Sequence, residues 1–216
     1  MKIIKIENLS LVLNKQTILK NISLNFDAGS IYGIVGKNGS GKSMLFKCIC
    51  GLIYPTSGKV YVKNKEIGKD TDFPESTGML IETPGLMPEY SAYKNLSILA
   101  GLNHKVHKEE IDKIIGAVGL TAAEKKSVKK YSLGMKQRLG IGIAIMENPE
   151  ILILDEPMNS LDKEGIKDMR KLFINMREQG KTILLTSHNF EDIDMLCDKV
   201  YEMEHGELVE VSRGYK

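Results

Sequence analysis

The octapeptide GKNGSGKS, Gly36 to Ser43, lies between the apolar run IYGIV and the segment MLFKCICGL, and no other stretch restricts the fold as tightly. It fits a glycine, four residues, then Gly-Lys-Ser, the pattern of a glycine-rich turn joining a buried strand to a helix. Glycines at 36, 39 and 41, with Lys37, Asn38 and Ser40 between them and Met44 just beyond, let successive backbone N–H groups point inward at phosphate oxygens. Lys42 reaches the β and γ phosphates, and Ser43 offers its hydroxyl to Mg²⁺. The helix that begins there adds its positive dipole end.

The flanking sequence supplies a scaffold for such a loop. Upstream, IIKIENLSLVL, NKQ, TILKNISLNF and DAGS read as strands and tight turns ahead of IYGIV, a β-rich entry into the loop. Downstream, MLFKCICGL predicts a short helix closed by Gly51, and YPTSG a turn before the strand KVYV. From about 90 to 146 the spacing is helical: in KEEIDKIIGAVGL, Ile111, Ile114, Ile115 and Val118 share a face and Gly119 can cap the end. The tail alternates again. ILIL (Ile151 to Leu154) is a buried strand, Ile166, Met169, Phe173 and Met176 mark one face of a helix ended by Gly180, and KTILLTSH is another strand. Continuous apolar strands separated by helices predict an α/β fold whose parallel sheet is covered on both faces. The methionines on these faces are read as packing residues.

A second acidic element completes the chemistry. In ILILDEP the four apolar residues end at Asp155 and Glu156. Asp155, at the carboxyl end of the strand, would hold Mg²⁺ directly or through water, and Glu156 is placed to accept a proton from an attacking water.

Composition narrows the partners. The 216 residues suit one domain, and 30 Lys plus Arg against 28 Asp plus Glu give a charge of +2, too balanced to imply nucleic acid. The lysines of EKKSVKK, Glu124 to Lys130, have no aromatic residue among them to stack on bases and read as a solvated helix end or loop. Cys48, Cys50 and Cys197 form no metal-ligand or CxxC spacing, which fits a reduced, intracellular chain. MKIIKIENLS has no signal-peptide core, and no apolar run approaches the roughly 20 residues that span a bilayer, so any membrane role is expected through a partner.

Taken with YSLGMKQR (Tyr131 to Arg138), ILILDEPMNSLD (Ile151 to Asp162) and His188 in LLTSH, the loop resembles, in order and spacing across nearly the whole chain, the ATP-binding subunits of ABC transporters. The resemblance implies one domain over 1–216: a P-loop NTPase, RecA-like core with an N-terminal antiparallel β subdomain, the β-rich layer and the first part of the core together spanning 1–89, a helical insertion (about 90–146), and the core continued (147–216). Ser132 and Gly134 start the helix GMKQRLGIGIAIM, so a hydroxyl and free N–H groups form a second phosphate-binding surface. One compact domain cannot readily close both surfaces on one γ-phosphate. The resemblance implies that ATP is sandwiched between the P-loop of one subunit and the signature of another, identical or closely related. It also implies that His188 contacts the γ-phosphate and polarises the water, and that Asp162 resembles the loop crossing the dimer interface while also N-capping the next helix.

Two positions depart from the family pattern. Glu82, in MLIETPGL, stands where a glutamine is usual. It would supply a hard oxygen to Mg²⁺ together with a full negative charge, which should raise the pKa of one of the nearby carboxylates, Glu156 among them. The aromatic residue that normally stacks on adenine is missing at or near Leu13, so the base should contribute little affinity. With P-G-L-M-P and Y-K-N-L downstream, Glu82 and YSLGM resemble the bacitracin-resistance and lantibiotic-immunity branch. That branch implies an ATPase on the cytoplasmic face of the cell membrane, docked around Glu82 to Tyr93 on a membrane-spanning permease that exports a peptide antibiotic. The alternatives are an exporter of another substrate or a non-transport ABC ATPase.

Overall fold

The computed structural model describes residues 1–103, 106–123 and 125–211. It opens with β1 (Lys2–Leu13) and β2 (Gln16–Asp27), an antiparallel pair joined at Asn14 and Lys15, both at positive φ. Then come β3 (Ile31–Val35), α1 (Lys42–Ile49), β4 (Ser57–Val62), β5 (Lys65–Glu66) and β6 (Thr77–Leu80). The helices α2 (Ala92–Asn103), α3 (Lys108–Ala117) and α4 (Leu133–Ile145) follow, and the chain returns through β7 (Ile151–Leu154), α5 (Lys163–Glu178) and β8 (Thr182–Thr186). It finishes with α6 (Phe190–Leu196), β9 (Lys199–Glu204) and β10 (Glu207–Val211).

Two sheets result. One has four antiparallel strands in the order β2-β1-β4-β5; the other has six in the order β10-β9-β3-β8-β7-β6, all parallel except β10. The strands that read as uniformly apolar are those buried on both faces, and their alternate residues enter different cores. Tyr32 and Ile34 of β3, Ile151 and Ile153 of β7 and Leu184 of β8 pack with α1 and the antiparallel sheet. Ile31, Val35, Leu152, Leu154, Ile183 and Leu185 pack with α2 to α5. Each strand thus joins two cores, which is why none of them can carry a polar face.

The helical stretch between β6 and β7 contains no strand among the described residues, and Ile111, Ile115 and Val118 are buried as the spacing predicts. Glu124 lies outside the described residues; Lys125, Lys126, Lys129 and Lys130 are exposed. The elements β5, α6, β9 and β10 were not signalled by apolar spacing: β5 is two residues long, α6 only seven, and the charges of β9 (Lys199, Glu202, Glu204) and β10 (Glu207, Glu210) break any regular alternation. None of the described helices is long and apolar enough to cross a membrane. The three cysteines are buried thiols, and burial pushes Cys48 and Cys50 up to about 12, leaving them poor nucleophiles.

Candidate nucleotide site

The phosphate loop leaves β3 at Val35, in the middle of the parallel sheet and at its carboxyl edge. Gly36, at φ 142°, passes so close to β9 that a Cβ would stand 2.3 Å from the Met203 carbonyl oxygen, so only glycine fits there. Gly41, at φ 117°, N-caps α1, and the space around Gly39 is open. Lys42 is 7% exposed, and its ammonium donates to the carbonyls of Gly36 (2.7 Å) and Lys37 (3.1 Å). Burial lowers its pKa while Glu156 and Asp155 pull the other way. Ser40 Oγ is buried with no hydrogen-bond partner, a donor free within the loop.

Across from the loop, Ser43 Oγ donates to Asp155 Oδ2 at 2.5 Å. The other carboxylate oxygen, Oδ1, accepts from Thr186 Oγ1 at 2.7 Å, and the same hydroxyl accepts the Glu156 N–H at 2.7 Å. Thr186, on β8, therefore locks the two acidic residues to each other. Glu156 has φ 50°, its carbonyl accepts from Gln137 Nε2 at 3.0 Å, and its Oε1 lies 3.0 Å from His188 Nε2. The Glu156 carboxyl is held above the usual range, first by burial and then by Asp155, against the opposing pull of His188 and Lys42.

The glycine-rich loop, the buried Ser40 hydroxyl and Lys42 fit a triphosphate. Ser43 and Asp155 offer Mg²⁺ two hard oxygens. Among the described residues no group of three or more His, Cys, Asp or Glu gathers as a metal cage.

Glu82 stands differently from the sequence expectation. It has φ 60° and is 60% exposed, and its carboxylate pairs with Lys47 of α1 at 2.5 Å rather than with Ser43 or Asp155. The raised pKa at Glu156 accordingly comes from burial and Asp155, and the expected contribution of Glu82 is absent, since an ammonium at contact distance neutralises it.

The signature residues lie elsewhere. Ser132 N-caps α4, its Oγ accepting from Met135 N at 3.2 Å, and Asp162 N-caps α5 by accepting from Gly165 N at 2.8 Å. Gly134 passes beneath the Ser160 carbonyl, where a Cβ would come within 2.6 Å of the oxygen. Ser132, Gly134 and Asp162 line a recess of about 400 Å³ together with Arg138, and none of the phosphate-loop residues lines it. The two candidate phosphate surfaces are thus separate recesses of one chain.

A cleft of about 360 Å³ runs beside the loop, walled by Lys37 to Ser40, the start of β2 and the β9–β10 turn. Among the described residues no Phe, Tyr or Trp lines it, and the only ring they place there is the imidazole of His205. ATP and GTP are therefore expected to compete with dissociation constants within a few-fold of each other; a strong preference for ATP in a binding titration would contradict this.

The order of these elements matches a known family. The family model described as ABC transporter covers residues 19–159. The chain belongs to the ABC transporter family. As an ABC ATP-binding subunit, and so an ATPase, it is 44% identical over 205 residues to the uncharacterised ABC transporter ATP-binding protein YybJ of Bacillus subtilis, covering 95% of this chain and 94% of the relative. It is 40% identical over 210 residues to the bacitracin transport ATP-binding protein BcrA of Enterococcus faecalis (96% and 68% covered). It is 36% identical over 206 residues to the lantibiotic transport ATP-binding protein SrtF of Streptococcus pyogenes (95% and 89% covered). Among solved structures, cbiO1 from Clostridium perfringens, part of the cbiONQ transporter complex, is 30% identical with a TM-score of 0.81, covering 96% and 87%. The ATP-binding cassette MJ0796, a dimer bound to ADP and Pi, shares the fold with a TM-score of 0.87 at 23% identity, covering 98% and 100%. The expected family and α/β P-loop NTPase fold are thus borne out.

Several residues around the ABC site carried no sequence signal. Besides Thr186, Gln137 and Lys47, Asp192 anchors the segment that holds His188. Its Oδ2 accepts from Ser187 Oγ at 3.3 Å, and its Oδ1 pairs with Arg170 of α5 at 2.6 Å. Glu156 also trades stability for chemistry. Its folded pKa is raised, so the stability it contributes is complete below the unfolded value and is lost as pH rises through the folded one. Glu156→Gln, which keeps the shape without the charge, is expected to raise the melting temperature at pH 7. That advantage should vanish as the pH is lowered into the acid range, as paired thermal melts would read.

Proposed function

We propose that this chain hydrolyses MgATP to drive a separate membrane permease that exports a peptide antibiotic, as self-immunity or resistance. The observation that carries this reading is the 36–40% identity, over 95–96% of the chain, to proteins named for lantibiotic and bacitracin transport. The site chemistry supports the ATPase half. Lys42 and the loop amides take up phosphate charge, Glu156 accepts the proton of the attacking water, and His188, beside it, orients that water toward the γ-phosphate. Mg²⁺, held by Ser43 and Asp155, would neutralise charge on the phosphate oxygens. Whether Glu82 joins depends on its release from Lys47.

Two copies of this subunit, or this one and a close paralogue, close on shared ATP. Gly36 to Met44 of one copy provide one wall, and Ser132, Gly134 and Asp162 of the other provide the opposite wall. The separation of these two recesses within one chain supports this reading. Residues about 90–146 then act as a helical insertion in a single ATP-binding domain, and the segment Glu82 to Tyr93 meets the permease at the cytoplasmic face of the membrane. ATP closes the pair and product release reopens it, which moves the permease.

The test is genetic. Deleting the coding sequence from the host is expected to lower the inhibitory concentration of bacitracin or of a lantibiotic, and the wild-type chain should restore it while Lys42→Ala should not. Unchanged sensitivity to both classes would overturn the peptide-export reading while leaving the ATPase untouched.

A further inference from the structure

Glu156 adopts φ 50°, a left-handed conformation that a side chain bearing a Cβ enters at a cost of about 1–3 kcal/mol and keeps only where its surroundings hold it. Three bonds do so here, one on its N–H and two on its C=O. The N–H is held by Thr186 Oγ1 at 2.7 Å, from the next strand of the same sheet. The C=O accepts from Gln137 Nε2 at 3.0 Å, from α4, and from the Asn159 N–H at 3.2 Å, within the same turn, so Gln137 is the bond that reaches it from another element. Thr186 moves with the sheet and so fixes Glu156 relative to Asp155. Gln137 does not: it belongs to the helix that Ser132 caps. Five residues beyond Ser132, it is turned about 140° around the helix axis, so the first turn of α4 presents the recess on one side and grips Glu156 on another.

We infer that Gln137 is a positioning residue for hydrolysis, which ties the signature helix to the catalytic carboxylate of its own chain by holding the Glu156 peptide. It makes no contact with reacting atoms. Losing the amide donor leaves the carbonyl of Glu156 only the longer local bond from Asn159, lets the left-handed backbone relax toward ordinary conformations, and swings the carboxylate away from His188. Displacements of that size at a reacting group reduce turnover far more than binding. The bond also gives a shift of α4 a direct route to Glu156. Any rearrangement of the first turn of α4 pulls on the peptide that aims the base.

This inference rests on the reading of Glu156 as the general base, so the experiment carries Glu156→Gln as a control. Purified chain is assayed for ATP hydrolysis with Gln137→Met, which keeps length and helix propensity and removes the donor, and with Gln137→Lys, which restores an N–H donor of similar reach. The expected result is a kcat lowered by about ten- to a hundredfold in Gln137→Met, with KM for ATP within about twofold of wild type and an unchanged melting curve, and partial recovery of kcat in Gln137→Lys. Should Gln137→Met fail to fold, Gln137→Glu, of the same outline but with the donor replaced by an acceptor, carries the same expectation. Wild-type kcat in Gln137→Met beside an inactive Glu156→Gln overturns the inference alone. So does a loss of kcat matched by a lowered melting temperature with no recovery in Gln137→Lys, which is the mark of a merely structural residue. Turnover that survives in Glu156→Gln removes the reading of Glu156, and the inference with it.

Discussion

Replacing Glu156 with glutamine is expected to lower kcat for ATP hydrolysis by about 10²–10⁴-fold while ATP still binds. The side chain sits 3.0 Å from His188, with its backbone anchored by Thr186 and Gln137, and burial raises its carboxyl above the ordinary value, which strengthens it as a base. Glutamine preserves the shape and every backbone bond but cannot accept the proton. The phosphate loop, Lys42 and the Ser43–Asp155 pair are untouched, so affinity for ATP should remain within a few-fold of wild type. If two copies share each nucleotide, the variant should also accumulate as an ATP-bound dimer, visible by sedimentation, since closure proceeds and hydrolysis does not. Turnover within tenfold of wild type would remove Glu156 from its role.

The second large effect lies behind the site. Arg170→Met is expected to destabilise the fold by about 3–5 kcal/mol, because it leaves the Asp192 carboxylate buried without a counter-ion. The Asp192 side chain is 2% exposed and that of Arg170 12%, with 2.6 Å between them. For a domain of this size the change should appear as a fall of roughly 6–20 °C in melting temperature. Replacing both partners with apolar residues should recover most of the loss, since the penalty belongs to the unpaired charge rather than to a missing attraction. A shift below about 2 °C in Arg170→Met would show that Asp192 finds water or another partner. Because Asp192 also holds Ser187, next to His188, the single variant should lose activity at temperatures where it remains folded.

The site was legible in the sequence to the extent that its parts are contiguous. Gly36 to Ser43 state their own backbone path, since positive φ at Gly36, Gly39 and Gly41 requires glycine and the next residues begin a helix. Ser132 and Asp162 cap their helices as their residue types and positions predict. The doubly buried strands β3, β7 and β8 were readable because a strand covered on both faces must be apolar throughout.

Glu82 marks the limit of that reading. Its identity suggested a charge near Asp155 and Glu156, but the direction of its side chain is set by Lys47, 35 positions earlier, which no local pattern pairs with it. Gln137 and Glu156 are 19 residues apart, and Thr186 lies 30 beyond Glu156, so their convergence depends on α4 crossing the sheet where β7 ends.

The sequence by itself determined the α/β class, the phosphate loop and the acidic pair after β7, because these follow from apolar periodicity, glycine conformations and helix capping, which act over a few residues; the ATPase family was legible there as a resemblance carried by four short motifs. Only the tertiary structure decided which carboxylate is raised and by what, which acid an ammonium neutralises, and which side chains hold Glu156 in its left-handed turn. Burial and short polar contacts depend on distances in space between residues far apart along the chain, and a linear sequence carries those distances only once it has folded.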